Sequence, residues 1–142
     1  MPTRITHFLH DSIVAPGTAP TLGTAFSTAD VHVHDLTANL PRFQADAAFR
    51  GIVTGLHVRL SGISGATKVT VRICVDSAGD YTLVPDVEAT LAVGITTGTT
   101  GCAAFSIGIP MFQIFGGGNL YVFAKVDSGS ADFAQSCITW QE

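Results

Sequence analysis

Charged side chains are scarce in this sequence. They make up 13% of the 142 residues, against about 25% in typical soluble domains. Lysine occurs only at Lys68 and Lys125, and seven basic residues stand against eleven acidic ones, for a formal net charge of -4. There is no basic run and no interleaving of aromatic and basic residues. The composition therefore argues against a nucleic-acid-binding surface.

The shortage of charge also bears on assembly. A free subunit of this size relies on surface charge for solubility, yet the mean hydropathy here is +0.40. Either the surface is covered with Ser, Thr, Gly and Ala, or much of it is hidden in an assembly, and both conditions can hold together. We expect a homo-oligomer or a component of a larger particle.

Long hydrophobic runs are absent. The most apolar stretch, residues 102–117, is interrupted by Gly108, Pro110 and Gln113, and it falls short of the roughly 18 to 20 apolar residues that a membrane-spanning helix needs. The N-terminal residues have no apolar core of signal-peptide length, since Asp11 interrupts them. We expect no membrane association, and synthesis and first folding in a cytoplasm.

Cysteine is present in an odd number. Cys74, Cys102 and Cys137 show no C-x-x-C spacing, and each lies in a strand-like run. We expect buried free thiols and no disulfide framework. A chain of this length can bury roughly 70% of the surface that it exposes when unfolded, so it needs no disulfide or metal in order to fold.

Period-two alternation is the main pattern that is present. In "TKVTVRICVDS", Val69, Val71, Ile73 and Val75 alternate with other residues, which places four β-branched side chains on one face of a strand. The run ends at "DSAG" and resumes at "DYTLV", which predicts a hairpin. The terminal stretch "LYVFAKVDSGSADFAQSCITW" repeats the pattern and predicts a second hairpin.

The alternating segments together predict an all-β fold. Further strand candidates are residues 4–10, 30–36, 50–62, 87–95 and 101–109. About eight strands with short Gly, Ser and Asp connections favour an antiparallel jelly-roll or Greek-key β-sandwich over an α/β fold. Residues 1–28 are rich in Pro, Gly, Thr and Ala without alternation. We interpret them as an extended N-terminal arm that lies across a neighbour, and residues 29–142 as the sandwich domain.

The segment "DVHVHDL" at residues 30–36 is the part of the sequence that most resembles a chemical site. On a strand, His32 and His34 share one face with Asp30, and Val31 and Val33 share the other. We interpret the histidine face as the polar outer side of a half-buried strand. A cupin-like metal site is rejected, because no glutamate follows the His-x-His pair closely and His57 is the only later histidine. A polar cluster of His32 and His34 on a symmetry axis stays open.

Other catalytic or metal-binding patterns are missing. There is no G-x-S-x-G motif, and the turns "DSAGD" and "DSGSAD" lack the closely spaced oxygens of a calcium loop. The run "GGGN" precedes a strand and not a helix, so it lacks the dipole of a phosphate-binding loop. We expect no enzymatic activity, no catalytic residues, no cofactor and no metal.

The stretch "IPMFQIFGGG" is either a buried strand or a hydrophobic contact surface. Two phenylalanines buried against a partner would contribute several kcal/mol to assembly, at roughly 25 cal/mol per Å2. The residues that we predict at an interface are Met111, Phe112, Ile114 and Phe115, together with Leu22 and Phe26 of the arm.

The Thr/Gly/Ala-rich arm "APGTAPTLGTAFST", the low-charge strands and the terminal segment "LYVFAKVDSGSADFAQSCITW" resemble those of small virion proteins of tailed bacteriophages. These include the decoration (cement) proteins of capsids and the small β-sandwich proteins of fibres. The resemblance implies a non-enzymatic structural protein located in the virion. It implies a symmetric oligomer, with a trimer favoured, bound to the major capsid protein or to another virion component.

The alternative is a carbohydrate- or receptor-binding β-sandwich of a tail fibre or spike. Such sites present exposed aromatic rings to sugars, and only Tyr81, Tyr121 and Trp140 offer suitable platforms. The scarcity of Trp and Tyr makes this interpretation the weaker of the two.

Overall fold

The computed structural model describes residues 6–9, 20–35, 52–93, 99–110 and 119–141. Within these ranges the chain forms strands and turns and no helix. All strand pairs are antiparallel, and they form two sheets. The prediction of an all-β fold is therefore confirmed, and the two sheets are consistent with a β-sandwich.

The strands of the described ranges are, in chain order, β1 (Thr6–Leu9), β2 (Thr21–Leu22), β3 (Val31–Asp35), β4 (Ile52–Ser64), β5 (Lys68–Cys74), β6 (Thr82–Thr90), β7 (Ala92–Val93), β8 (Gly101–Pro110), β9 (Asn119–Val126) and β10 (Ser130–Gln141). The first sheet has the order β1-β10-β4-β8-β7, and β2 also pairs with β10. The second sheet has the order β3-β9-β5-β6.

The core consists of alternate residues from both sheets. On β5, Val69, Val71 and Ile73 are fully buried, as the alternation predicts. Leu120 and Val122 of β9 are buried on the same sheet, and the facing strands β4 and β10 contribute their own hydrophobic residues to the same cluster. The shared hydrophobic face is what holds the two sheets together.

The predicted hairpin in the middle of the chain is confirmed. β5 and β6 pair antiparallel, with Val69 opposite Ala89. In the turn between them, the Asp76 carboxylate accepts the backbone N–H groups of Asp80 (2.9 Å) and Tyr81 (2.8 Å). These bonds lower the pKa of the Asp76 carboxyl from its usual value.

The predicted terminal hairpin is wrong. β9 belongs to the second sheet and β10 to the first, so residues 127–129 carry the chain from one sheet to the other. The Asp127 carboxylate accepts the backbone N–H groups of Thr67 (2.9 Å) and Lys68 (3.0 Å), which ties this crossing to the earlier crossing between β4 and β5. The residues of "DSGS" suit both a hairpin turn within one sheet and a turn that crosses between two sheets. Only the distant partner strands of β9 and β10 decide which of the two forms.

Two described segments of the predicted arm lie on the edge of β10. The backbones of β1 and β2 both run antiparallel to β10, with Phe8 opposite Thr139 and Leu22 opposite Ala131. The Phe133 N–H donates to the Pro20 carbonyl (2.8 Å). Leu22 is fully buried, so it contributes to the core of its own subunit. Contact of the arm with a neighbour stays a prediction.

Candidate functional site

His32 and His34 lie in the interior, on the inner face of β3. Both side chains are 0% exposed, whereas Val31 and Val33 are half-buried on the opposite face. The prediction that the histidines form the polar outer side of this strand is therefore wrong. A polar cluster on a symmetry axis would require exposed rings, so this burial does not favour it.

The histidines face inward because β10 offers them polar partners. The Ser136 hydroxyl lies 3.0 Å from His32 Nδ1 and 2.7 Å from His34 Nε2. His32 Nε2 lies 2.8 Å from the Phe133 carbonyl oxygen. The His32 ring also stacks on the Phe133 ring, with centroids 3.7 Å apart and an interplanar angle of 12°. We call His32, His34 and Ser136 the interior polar cluster.

The geometry of the interior polar cluster assigns its protons. A carbonyl only accepts, so His32 Nε2 carries a hydrogen and, in the neutral ring, Nδ1 is an acceptor. Ser136 must then donate its single hydrogen to His32 Nδ1. The same oxygen has no hydrogen left for His34, so His34 Nε2 donates to it. The remaining nitrogen, His34 Nδ1, is buried and has no hydrogen-bond partner.

Burial keeps both rings neutral near neutral pH. It lowers the pKa of His32 to about 4, although the bond to the Phe133 carbonyl opposes this effect. It also lowers the pKa of His34 to about 4, and repulsion from His32 adds to the decrease. A proton on either ring would place an ion in an apolar interior.

The cluster resembles the Ser–His contact of a nucleophilic enzyme only in its residue types. Ser136 is 0% exposed, so no substrate reaches its hydroxyl in this conformation. No group of three His, Cys, Asp or Glu side chains that could hold a metal ion occurs within the described parts of the chain. The cluster instead forms a polar connection between the edge strand of one sheet and a strand of the other.

Sequence reasoning missed Ser136 and Phe133. The pairing of β10 with β4 shifts register between Phe133 and Gln135, and this irregularity places Phe133 and Ser136, three residues apart, beside the same ring. A strict period of two would have put them on opposite faces. The sequence does show a polar residue, Ser136, among the hydrophobic residues of a strand. This pattern does not indicate which residue Ser136 contacts.

The predicted interface residue Phe26 lies on the outer side of the second sheet and is half-buried. The Arg72 guanidinium carbon lies 4.4 Å and Lys125 Nζ 4.8 Å from the centroid of its ring. Arg72 also forms a bidentate ion pair with Asp86. Its Nε lies 2.7 Å from Asp86 Oδ1, and its Nη2 lies 3.1 Å from Asp86 Oδ2. Phe26 is therefore engaged within its own subunit, and its role at an interface stays a prediction.

The other four residues of the predicted interface lie outside the described residues. They are Met111, Phe112, Ile114 and Phe115. Their role in assembly stays a prediction.

The three thiols have different environments. None of the three is part of a disulfide, as predicted. Cys74 is buried, but Cys102 and Cys137 are only half-buried, so the prediction of burial is wrong for these two. They lie on the outer face of the first sheet, where Cys137 is opposite His57 and Cys102 is opposite Arg59.

We expect Cys102 and Cys137 to react with a disulfide-exchange reagent in the folded protein, and Cys74 to react only after unfolding. Burial raises the pKa of the Cys74 thiol, so it has both less access and less thiolate. Mass spectrometry of digested protein after brief labelling measures each site. The variant Cys74→Ala should label like the wild type, and rapid labelling at Cys74 in folded protein would contradict this assignment.

No protein-family model matches the chain, and no curated protein matches it. The described part of the chain contains no helix of the length and hydrophobicity that a membrane crossing requires.

Proposed function

We propose that this protein is a non-enzymatic structural protein of a virion, specifically a capsid decoration protein that self-associates and stabilises the shell. The observation that carries the proposal is the position of β1 and β2. These two segments of the N-terminal arm join the edge of β10 by backbone pairing. The charged fraction of 13% supports the proposal, because a surface so poor in charge is suited to being covered by other subunits.

We also infer that the sandwich is a jelly roll. The strand orders support this when β1 and β2 are taken as one interrupted edge strand, and β7 as a continuation of β6 beyond Leu91 that pairs with β8. The described strands then number eight. Numbered in chain order, one sheet contains strands one, eight, three and six, which are β1/β2, β10, β4 and β8. The other sheet contains strands two, seven, four and five, which are β3, β9, β5 and β6. Two Greek keys wound together give this alternation, and the fold is common in capsid proteins.

Backbone pairing makes the arm suitable for exchange between copies. The edge of β10 in a neighbouring subunit offers β1 the same N–H and C=O groups as its own. The residues between β1 and β2, 10–20, would span at most about 40 Å when extended, which is enough to reach an adjacent copy. Exchange of identical segments closes symmetric oligomers without any new type of contact.

Cross-linking between two variants tests the exchange. Thr6 is opposite Gln141 in the pairing of β1 with β10. One variant carries Thr6→Cys and the other Gln141→Cys, and the two are mixed, refolded together and oxidised. We expect a disulfide-linked dimer on a non-reducing gel, because strand exchange brings the thiol introduced in β1 of one copy against the thiol introduced in β10 of another.

The matched control replaces Gln141→Cys with Ser106→Cys, which lies on an exposed position of β8 that does not pair with β1. Dimer in the control mixture, or in either variant alone, would show unspecific oxidation. If both substitutions in one chain give a disulfide within that chain and the mixture gives no dimer, strand exchange is excluded.

Binding to a particle tests the virion role itself. Purified protein is added to capsids that lack it, and co-sedimentation and release on heating are measured. We expect binding to saturate at a number of copies per capsid that the symmetry of the lattice sets. We also expect a rise in the temperature at which the shell opens. A dilute, monomeric protein that binds no capsid would contradict the proposal.

The second candidate is a carbohydrate- or receptor-binding module. Tyr81 favours it, because its side chain is 70% exposed in the turn between β5 and β6. Trp140 is buried at 4% exposure, which removes it as a sugar platform. Glycan-array binding that is lost in Tyr81→Ala would favour this candidate over the decoration role.

A further inference from the structure

β3 is held in place in two different ways. Among the described strands it lies at the end of its sheet and pairs only with β9, over five residues. Across the sandwich, its side chains reach β10 through the hydrogen bonds of His32 and His34 to Ser136 and the Phe133 carbonyl. An edge strand with few backbone bonds depends on such side-chain contacts to stay closed.

The interior polar cluster has one place where a proton can bind without breaking a hydrogen bond. This is the lone pair of His34 Nδ1, which is buried and has no partner. A proton there creates a buried cation with no acceptor for its new N–H. A proton on His32 Nδ1 instead reverses this bond, so that the ring donates to Ser136 and the Ser136 hydrogen loses its acceptor in the interior.

The neighbours of the pair that are identified on β9 and β10 are uncharged. On β9, the cross-strand neighbours of His32 and His34 are Val122 and Leu120. On β10, the contacts come from Phe133 and Ser136. Within the described chain, the titratable group that acts on the pKa of His34 is His32, which repels its proton. Within the described residues, no carboxylate therefore acts on the pKa of His34 in the closed state.

We propose that the interior polar cluster is an acid-sensitive latch, which holds β3 against the sandwich at neutral pH and releases this strand when the histidines are protonated. Release moves both rings into water, where an imidazolium is well solvated. It also uncovers the edge of β9 together with Leu120 and Val122, which are fully buried in the closed state. A bare strand edge beside hydrophobic side chains is a surface to which another strand can add.

The expected size of the effect follows from linkage. Each ring has a pKa of about 4 when closed and an ordinary value of 6.5 when open. Lowering the pH from about 7 to about 5 should therefore raise the open fraction of β3 by about twentyfold for each histidine, and by up to a few hundredfold for both.

Hydrogen exchange measures the open fraction directly. The backbone exchange of residues 31–35 is followed in wild-type protein at about pH 7 and about pH 5, and each rate is divided by the intrinsic rate of the unstructured sequence. We expect the corrected rate for β3 to rise by at least twentyfold, while that of β5 rises much less. An equal rise in β5 would mean global unfolding and would overturn the latch, as would no rise in β3.

Two variants assign the effect to the histidines. In His34→Gln the side-chain amide can still donate to Ser136 but is not protonated in this pH range. The increase in the corrected exchange rate of β3 between about pH 7 and about pH 5 should therefore be about twentyfold smaller than in the wild type. In the double variant His32→Gln/His34→Gln it should disappear. The matched control His57→Gln, at an exposed site on β4, should behave like the wild type. If the exchange rate of β3 rises as much in His34→Gln as in the wild type, the proposal is overturned. If a variant fails to fold, the comparison of β3 with β5 in the wild-type protein tests the proposal by itself.

Discussion

Gly129→Ala is expected to lower the free energy of unfolding by about 3 kcal/mol or more. Gly129 has a φ of +65°, in the left-handed region that side chains disfavour by roughly 1–2 kcal/mol. A Cβ at this position would also overlap the carbonyl oxygen of Ser64 and lie 2.9 Å from its carbon. The obstacle is backbone, so it cannot rotate away, and the two crossings between the sheets would have to separate.

Substitutions at two other glycines distinguish the two causes of the lower free energy of unfolding, which are the positive φ and the overlap with the Ser64 backbone. Gly79 has a φ of +80°, but a Cβ at this position would lie 3.5 Å from its nearest neighbour, the Phe123 ring, so Gly79→Ala should lose only about 1–2 kcal/mol. Gly23→Ala meets nothing within 4 Å and should change stability by no more than about 0.5 kcal/mol. Urea unfolding of the three variants measures the series. Equal losses at Gly129 and Gly79 would mean that the close approach of the crossings contributes nothing.

The stability of the protein is expected to fall steeply between about pH 6.5 and about pH 4, by about 3 kcal/mol for each buried histidine. In the unfolded chain a histidine binds its proton at the ordinary pKa of 6.5, whereas burial lowers the pKa of His32 and His34 to about 4. The unfolded state therefore binds more protons throughout this interval. The contribution is complete above pH 6.5 and is lost as the pH falls toward 4.

The carboxylates of Asp76 and Asp86 act in a separate pH range. Hydrogen bonds and the Arg72 guanidinium lower the pKa of Asp86, and backbone N–H groups lower that of Asp76. Their contribution is present above the ordinary value of 3.8 and is lost only at still lower pH. Between pH 6.5 and pH 4.5 the histidines should therefore dominate the pH dependence.

Urea unfolding at a series of pH values tests this prediction. His34→Gln should reduce the slope between pH 6.5 and pH 4.5 by about half, and His57→Gln should leave it unchanged. A free energy of unfolding that is flat across this interval would mean that the histidine rings are hydrated or paired, and not buried as described.

The parts of the fold that were predictable depend on contacts close in sequence. On β5, the alternation of Val69, Val71 and Ile73 predicts both the strand and its buried face, because neighbouring residues of a strand must point to opposite sides. The hairpin to β6 is equally local, since Asp76 builds the turn within five residues of itself. Side-chain period and turn chemistry suffice for these elements.

The candidate site could not be predicted in the same way. In β3, alternation correctly separates the histidines from Val31 and Val33, but hydrophobicity then suggests that the valines face inward. The reverse arrangement is favoured by Ser136 and Phe133, which are more than a hundred residues away along the chain. A buried polar side chain is tolerated only where it finds a hydrogen-bond partner, and the sequence of the strand does not contain that information.

The amino-acid sequence by itself determined that this chain forms strands, where most of them begin and end, and which side chains share a face. The tertiary structure alone decided that β9 and β10 join different sheets, that β1 and β2 lie along β10, and that two histidines point into the interior. The physical reason is the range of the interactions. Periodicity and turns act between residues a few positions apart, whereas sheet membership and the choice of inward face depend on partners that only folding brings together.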